Sequence, residues 1–297
     1  MDHKSFLQTL NADEKAILTR RSDAAGLRHL AGHLGLIMTL GALIAFKVPF
    51  WGLLLLPQGI ALAFLFTLQH EATHKTPFAT ERLNETIGHL IALLIAQPFT
   101  WFRYFHLAHH KHTQDPAQDP ELAGLPKPDN WPSFFYHLSS LSYWRDKVVL
   151  LLMHAGGKAE APYLPKRAHT MLKQEARVLL ACYALAVAFS VFVSPLLFWV
   201  WLAPLALGFP VLRLYLLAEH GRCPNVENML ENSRTTYTGK LVNFLAWNMP
   251  YHAEHHSHPQ VPFYLLPRLN SIMAPYIGTT SQGYRAFAQS YTASFKR

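Results

Sequence analysis

The sequence predicts an all-α integral membrane protein: four spans in two transmembrane helical hairpins, interfacial helices, and a cytoplasmic helical cap holding a histidine-rich site. Three observations lead there. Of the 297 residues, 51% are apolar and only 15% are charged, where a soluble domain has about a quarter charged. Mean hydropathy is nonetheless only +0.09, so the membrane-embedded part must be balanced by a sizeable polar part. Third, three histidine clusters punctuate the apolar stretches: His70-Glu71-Ala72-Thr73-His74, His106-Leu107-Ala108-His109-His110 and His252-Ala253-Glu254-His255-His256.

Taken in order, residues 1–26 are polar, lack the apolar core of a signal peptide, and read as a cytoplasmic N-terminal segment. Leu30 to Phe46 is the first span, with His29 and His33 expected at the interface. Lys47-Val48-Pro49-Phe50 makes a short turn, and Phe50 to Leu68 is the second span, broken only by Pro57 and Gln58. Both approach the roughly 17–25 residues that a crossing needs. Together they form a first hairpin over 30–68, and the first cluster extends its second helix beyond the bilayer.

Ile87 to Phe102 is apolar but short and interrupted at Gln97-Pro98. A full crossing would put the second cluster on the wrong side, so the stretch reads as re-entrant or interfacial. An acidic, proline-rich loop around Asp115, Asp119 and Glu121 follows. Trp131 to Met153 mixes aromatic and apolar residues, as suits the membrane interface, and residues 70–176 thus hold two clusters on interfacial helices. Val178 to Val193 and Pro195 to Ala218 make a second hairpin over 178–218, turning at Ser194-Pro195 and kinked by Pro204 and Pro210. Residues 219–297 form the cytoplasmic cap, with Asn225 to Lys240 over the site and the third cluster behind. No half could build the site alone, so 1–297 reads as one domain.

Charge sets the orientation. The net charge of +8 is spread around apolar runs (Arg20, Arg21, Arg28; Lys166, Arg167, Lys173, Arg177) and forms no dense block, which points to headgroups and not to nucleic acid. With both hairpins pointing one way, Lys47 is the only basic residue at a hairpin turn. The other Lys and Arg share a side with every histidine cluster, and the positive-inside rule makes that side cytoplasmic. The two cysteines, Cys182 and Cys223, offer no disulfide framework and read as packing.

The clusters carry the chemistry. On a helix, positions i, i+3 and i+4 share a face, so each cluster aims its imidazoles at one point. Eight imidazoles exceed what one ion needs and suit two. The first cluster is literally HExxH, the zinc-protease pattern with Glu71 as general base. Zinc catalysis needs only three protein ligands and an open position, which leaves the other two clusters surplus; an intramembrane zinc protease is therefore the remote alternative. All-imidazole shells suit iron, copper, zinc or nickel, and for oxygen chemistry in lipid two iron ions fit best. The spans hold almost no ionisable residues, against a transport role. Single histidines (His3, His137, His154, His169) read as ordinary interfacial residues, and His89, His112 and His258 lie near clusters but off their pattern.

These boxes, in this order and between paired spans, resemble the membrane fatty acid desaturase/hydroxylase family. The likeness runs over roughly residues 50 to 270. It includes Arg82-Leu83-Asn84 with Ile87-Gly88, the Asp-Pro loop, Pro259-Gln260-Val261-Pro262 and Leu266-Pro267. Three residues between the first-box histidines resemble the acyl-lipid and sphingolipid desaturase type. The resemblance implies a di-iron, O₂-dependent enzyme that attacks an unactivated C–H of a lipid acyl chain, most simply a desaturase. Hydroxylases and ketolases of lipids or carotenoids are the alternative. It implies as ligands His70, His74, His106, His109, His110, His252, His255 and His256, with His220 as a ninth. Glu71, Asp115, Asp119, Glu121, Glu219, Asn248 and Glu254 are candidates to support them from outside. No cluster-binding cysteine set or haem domain is recognisable, so electrons are expected from a partner such as a ferredoxin, rubredoxin or cytochrome b5.

Overall fold

The computed structural model describes residues 1–124 and 126–295. Helix α1 (His3–Thr9) and α2 (Ala12–Leu18) are short and capped by Asp2 and Asn11, whose side chains accept from the backbone of Ser5 and Glu14. Then come α3 (Asp23–Ala45), α4 (Leu55–Ala63) and α5 (Leu65–Thr73), followed by α6 (Glu81–Ile95) and α7 (Phe99–His112). Next are α8 (Trp131–Leu138), α9 (Leu141–Ala155), α10 (His169–Phe192) and α11 (Ala203–His220), the last entered through one π-helical turn, Phe198–Leu202. The C-terminal part holds α12 (Met229–Asn232), α13 (Lys240–Leu245), α14 (His252–Ser257), α15 (Leu266–Met273) and α16 (Gly283–Thr292).

Four stretches are long and apolar enough to cross a membrane: Ala12–Ala45, Trp51–Thr73, Lys166–Phe192 and Phe198–His220. The protein is therefore mostly helical and integral to a membrane. The outer two, α3 and α10, expose Met38, Leu43, Leu185, Val191 and Phe192 along their length, a surface that only lipid covers without penalty. The inner two bury far more, because α4 packs directly on α11. At that contact Gly59 and Gly208 meet backbone to backbone: a Cβ on Gly59 would lie 1.8 Å from the Pro204 carbonyl oxygen. Small residues let the two helices approach this closely.

Several boundaries differ from the expectations. The second span is broken not at Pro57 and Gln58, which sit in or near the first turn of α4, but at Phe64. There Thr67 turns both its N–H and its hydroxyl onto the Phe64 carbonyl. The third span starts nine residues earlier, at His169, because Glu175 has a partner: its carboxylate accepts from the backbone N–H of Phe99 and Thr100 and caps α7. His33 is not interfacial. It is fully buried, bonded to the Ala61 carbonyl at 2.9 Å, and accepts from Trp247 Nε1 at 3.1 Å. The mostly helical architecture agrees with the expected class, and the C-terminal part adds one short strand pair, β1 (Thr235–Tyr237) parallel with β2 (Thr280–Gln282). The segment leaving α12 is buried, and its backbone polar groups must find partners.

Candidate metal centre

Four elements converge on one buried point. Helix α5 and its C-cap supply His70 and His74; α7 supplies His106, His109 and His110; α11 ends in His220; α14 supplies His252, His255 and His256. Local sequence explains each placement. Pro98 and Glu175 start α7, and α11 ends at Gly221 immediately after its histidine.

The nitrogens fall into two groups. His70, His106, His110 and His255 each offer a ring nitrogen within 4.8 Å of the others, and so do His109, His220 and His256. His74 adjoins the first group, its Nε2 2.8 Å from that of His106. His252 adjoins the second, its Nε2 3.0 Å from that of His220. The groups touch where the rings of His110 and His256 stack at 4.0 Å.

The hydrogen bonds around the second group test whether a metal fits. His220 Nδ1 lies 3.0 Å from the carbonyl of Asn232, which can only accept, so that nitrogen carries the proton. His109 Nδ1 lies 2.9 Å from the Asp119 carboxylate and donates likewise. In neutral rings both Nε2 atoms are then bare, yet they face each other at 3.1 Å. Two lone pairs at that distance repel unless a cation, a metal ion or a proton on His109, lies between them. Nitrogens at about 2.0–2.1 Å from a common ion and roughly a right angle apart are separated by about 2.9 Å. In the first group, both nitrogens of His70 are buried without a hydrogen-bond partner among the described residues, as is Nδ1 of His110. The donor set fits two metal ions.

For every imidazole described below except His109, electrostatics agree with ligation, which needs neutral imidazole. Burial pushes the pKa of His74 down to about 3. Burial, reinforced by the neighbouring imidazoles, holds His106, His110, His252, His255 and His256 well below the ordinary value. His109 goes the other way. Burial pulls it down, but the carboxylates of Glu121 and Asp119 outweigh that and raise it.

Outside the ring of imidazoles, Asp119 faces His109, Glu219 Oε1 stands 3.4 Å from His252 Nδ1, and Glu71 Oε1 stands 3.5 Å from His255 Nδ1. Glu121 lies 3.8 Å from His109. The last three contacts are longer than well-formed hydrogen bonds. Three other candidates serve elsewhere. Asp115 accepts from the Ala117 N–H and Gln118 and shapes its own loop. Asn248 donates to the Phe263 carbonyl. Glu254 accepts from Thr235 and Asn270, away from the histidines. The other Glu71 oxygen, Oε2, accepts from Thr76 and the Phe263 N–H, and the side chain is wholly buried. His89 pairs with Glu175, and His258 lines a surface cleft with Lys15 and Gln260.

Reasoning from residue types missed Thr113, whose hydroxyl meets His256 Nδ1 at 3.2 Å. Its position one turn after His109 was the available signal. It also missed the Asn232 carbonyl, for which no side chain gives a signal. Lys127 and Gln114 both donate to the His220 carbonyl at 3.0 Å and help fix the end of α11.

Fold and site together define an integral membrane protein with a buried polyhistidine centre suited to two metal ions. The family model for "Fatty acid desaturase" matches residues 10–288, and the chain belongs to the fatty acid desaturase family. It is 25% identical over 261 residues to the chloroplastic omega-3 fatty acid desaturase of Brassica napus, covering 77% of this chain and 62% of that one. It is also 25% identical over 217 residues to the sphingolipid delta(4)-desaturase/C4-monooxygenase of Mus musculus, covering 70% and 60%. With the chloroplastic, ferredoxin-dependent sn-2 acyl-lipid omega-3 desaturase of Arabidopsis thaliana the identity is 26% over 257 residues, covering 77% and 56%. The matched region thus spans about three-fifths of the length of these curated relatives.

Proposed function

We propose that the protein is a di-iron, O₂-dependent oxidoreductase that removes hydrogen from an unactivated carbon of a lipid acyl chain and leaves a double bond. The observation that carries this is the bare Nε2 pair of His109 and His220 at 3.1 Å, inside a family of lipid desaturases. His70, His74, His106, His110 and His255 would hold one iron, and His109, His220, His252 and His256 the other. Iron bound there would supply the two-electron use of O₂ that breaks a strong C–H bond. Burial keeps the imidazoles other than His109 neutral, and Asp119, Asn232 and Thr113 orient His109, His220 and His256. Glu219 and Glu71 face the remaining Nδ1 atoms. Hydroxylation is the second outcome, favoured by the mouse relative whose name joins desaturase and monooxygenase.

The substrate chain is assigned to an apolar cavity of about 490 Å³ between α3, α4, α11 and α13, lined by Leu36, Leu40, Ile60, Phe64, Val211 and Tyr215. Its size lies within the range of ligand pockets, about 300–1,000 Å³. Several lining residues at its outer end, Pro57, Val211 and Leu241, are exposed on the lipid-facing surface, and Tyr215 at its inner end is one turn from Glu219. The remaining finer assignments belong to the same reading. The chain acts as one unit, its spans form two hairpins, and the termini and histidines lie on the cytoplasmic side. There an acidic ferredoxin, rubredoxin or cytochrome b5 docks to deliver electrons. The test is lipid analysis of cells with and without the protein. A new double bond or hydroxyl, lost in His220→Ala, is expected; an unchanged lipid profile under aerobic growth contradicts the reading.

A further inference from the structure

The loop joining α9 to α10, residues 156–165, is fastened to α7. Its Ala159 and Leu164 are buried with Ala168 and Leu172 at the start of α10, and Trp101, Tyr104 and Tyr163 pack on them. The charges at this place are exposed and mostly positive: Lys158, Lys166 and Arg167 against one acid, Glu160. On α7, Lys111 is exposed two turns beyond Tyr104, and Leu107 between them is 43% exposed. The lysine and arginine ion pairs among the described residues involve none of these four cations. An apolar and aromatic centre thus carries an unpaired basic rim.

Beneath this surface a line of rings leads inward. Tyr163 lies 5.9 Å from Phe105, Phe105 stacks 6.5 Å from Phe102, and Phe102 stacks 5.4 Å from His106 of the first histidine group. Electron tunnelling decays steeply with distance and fastest across solvent, so a carrier seated here would face that group through packed protein. Headgroups have their own cations: Lys173 and Arg177 lie two and three turns further along α10, beside exposed Met171 and Val178. Electron-transfer complexes are small, below about 1,200 Å², and are steered by charge. We propose that α7 and the α9–α10 loop dock the acidic one-electron carrier protein that supplies this enzyme. The inference rests on the di-iron reading and gives its electron donor a place. Each encounter oxidises the carrier by one electron and reduces the centre held by His106 and its neighbours. Two encounters supply the pair that the reaction consumes, and no bond or proton is exchanged.

The experiment measures binding, not turnover, with the full-length protein in phosphatidylcholine nanodiscs. The probes are a plant-type two-iron ferredoxin, a rubredoxin and the soluble haem domain of a cytochrome b5. At least one should bind, and more weakly as salt rises. Lys166→Glu with Arg167→Glu should weaken that binding about tenfold, since two exposed attractions become repulsions. Lys15→Glu with Arg20→Glu, equally exposed on the N-terminal segment, should change it by less than about twofold. A carbodiimide, which joins lysine to carboxylate, should link the carrier to Lys111, Lys158 or Lys166 and not to Lys4 or Lys15. Binding that survives the Lys166 and Arg167 reversal, or links that map elsewhere, would overturn the dock and leave the di-iron reading standing. So would a reversal that spares the carrier and instead strips co-purifying anionic phospholipid, which would give the surface to headgroups. If none of the three carriers binds, the dock is likewise overturned, and lipid analysis alone judges the di-iron reading.

Discussion

In the second histidine group, His109, His220 and His256 each present Nδ1 to a partner, at 2.9, 3.0 and 3.2 Å. In the first group, among the described residues, His70 has no hydrogen-bond partner on either nitrogen, His110 none on Nδ1, and His255 Nδ1 meets only Glu71, at 3.5 Å. The side chains are the same and their backing is not. A ring fixed by a second hydrogen bond keeps its tautomer and direction without the ion, whereas an unbacked ring depends on the ion for both. Three rings of the second group are thus preformed, while the adjoining His252, with Glu219 only at 3.4 Å, is held as loosely as the first group. The backing residues also come from different places: Thr113 and Asp119 lie three and nine residues after the second box, and Asn232 belongs to the C-terminal part.

The largest expected effect comes from removing the centre of the preformed group. His220 Nε2 faces both His109 and His252. His220→Ala should lose metal from that group and more activity than the ~100-fold that marks the upper end for an outer partner. His89→Ala, which touches only Glu175 and the Phe99 ring, should stay near wild type by metal analysis and lipid assay. If both variants keep two metals and full activity, His220 is only a helix terminus.

Next in size is the backing itself. Asp119→Ala should lower metal affinity of the second group by about 10–100-fold, read by competition with a chelator. The same titration on wild type should show two stages, the first group releasing its metal before the second. Simultaneous release would erase the distinction between the groups. The smallest effect is expected from Glu71→Gln, below about tenfold. Glutamine keeps an acceptor for Thr76 and Phe263, and the contact to His255 is long. Complete inactivity with normal metal content would instead give Glu71 a direct chemical role.

The histidines were legible because helical periodicity and span order place them regardless of detail. What stood behind them was legible only where an acidic side chain lies near a candidate histidine in sequence, as with Glu71, Asp119 and Glu219. Asn248 was expected to share a helical face with His252, but Trp247 and Asn248 have φ of 50° and 55° and α14 begins only at His252. Glu254, two residues after His252, points off the ligand face toward Thr235 and Asn270. The Asn232 carbonyl is backbone, and nothing in a sequence marks which carbonyl will meet a ring. The break at Phe64 and the β1–β2 pair arise from tertiary packing, which local propensity does not encode.

The most direct test of the central claim is the metal content of the purified protein, measured by elemental analysis per chain. The account predicts two irons, falling toward one in His220→Ala. One zinc per chain, with no iron and with that zinc retained in His220→Ala, would contradict it.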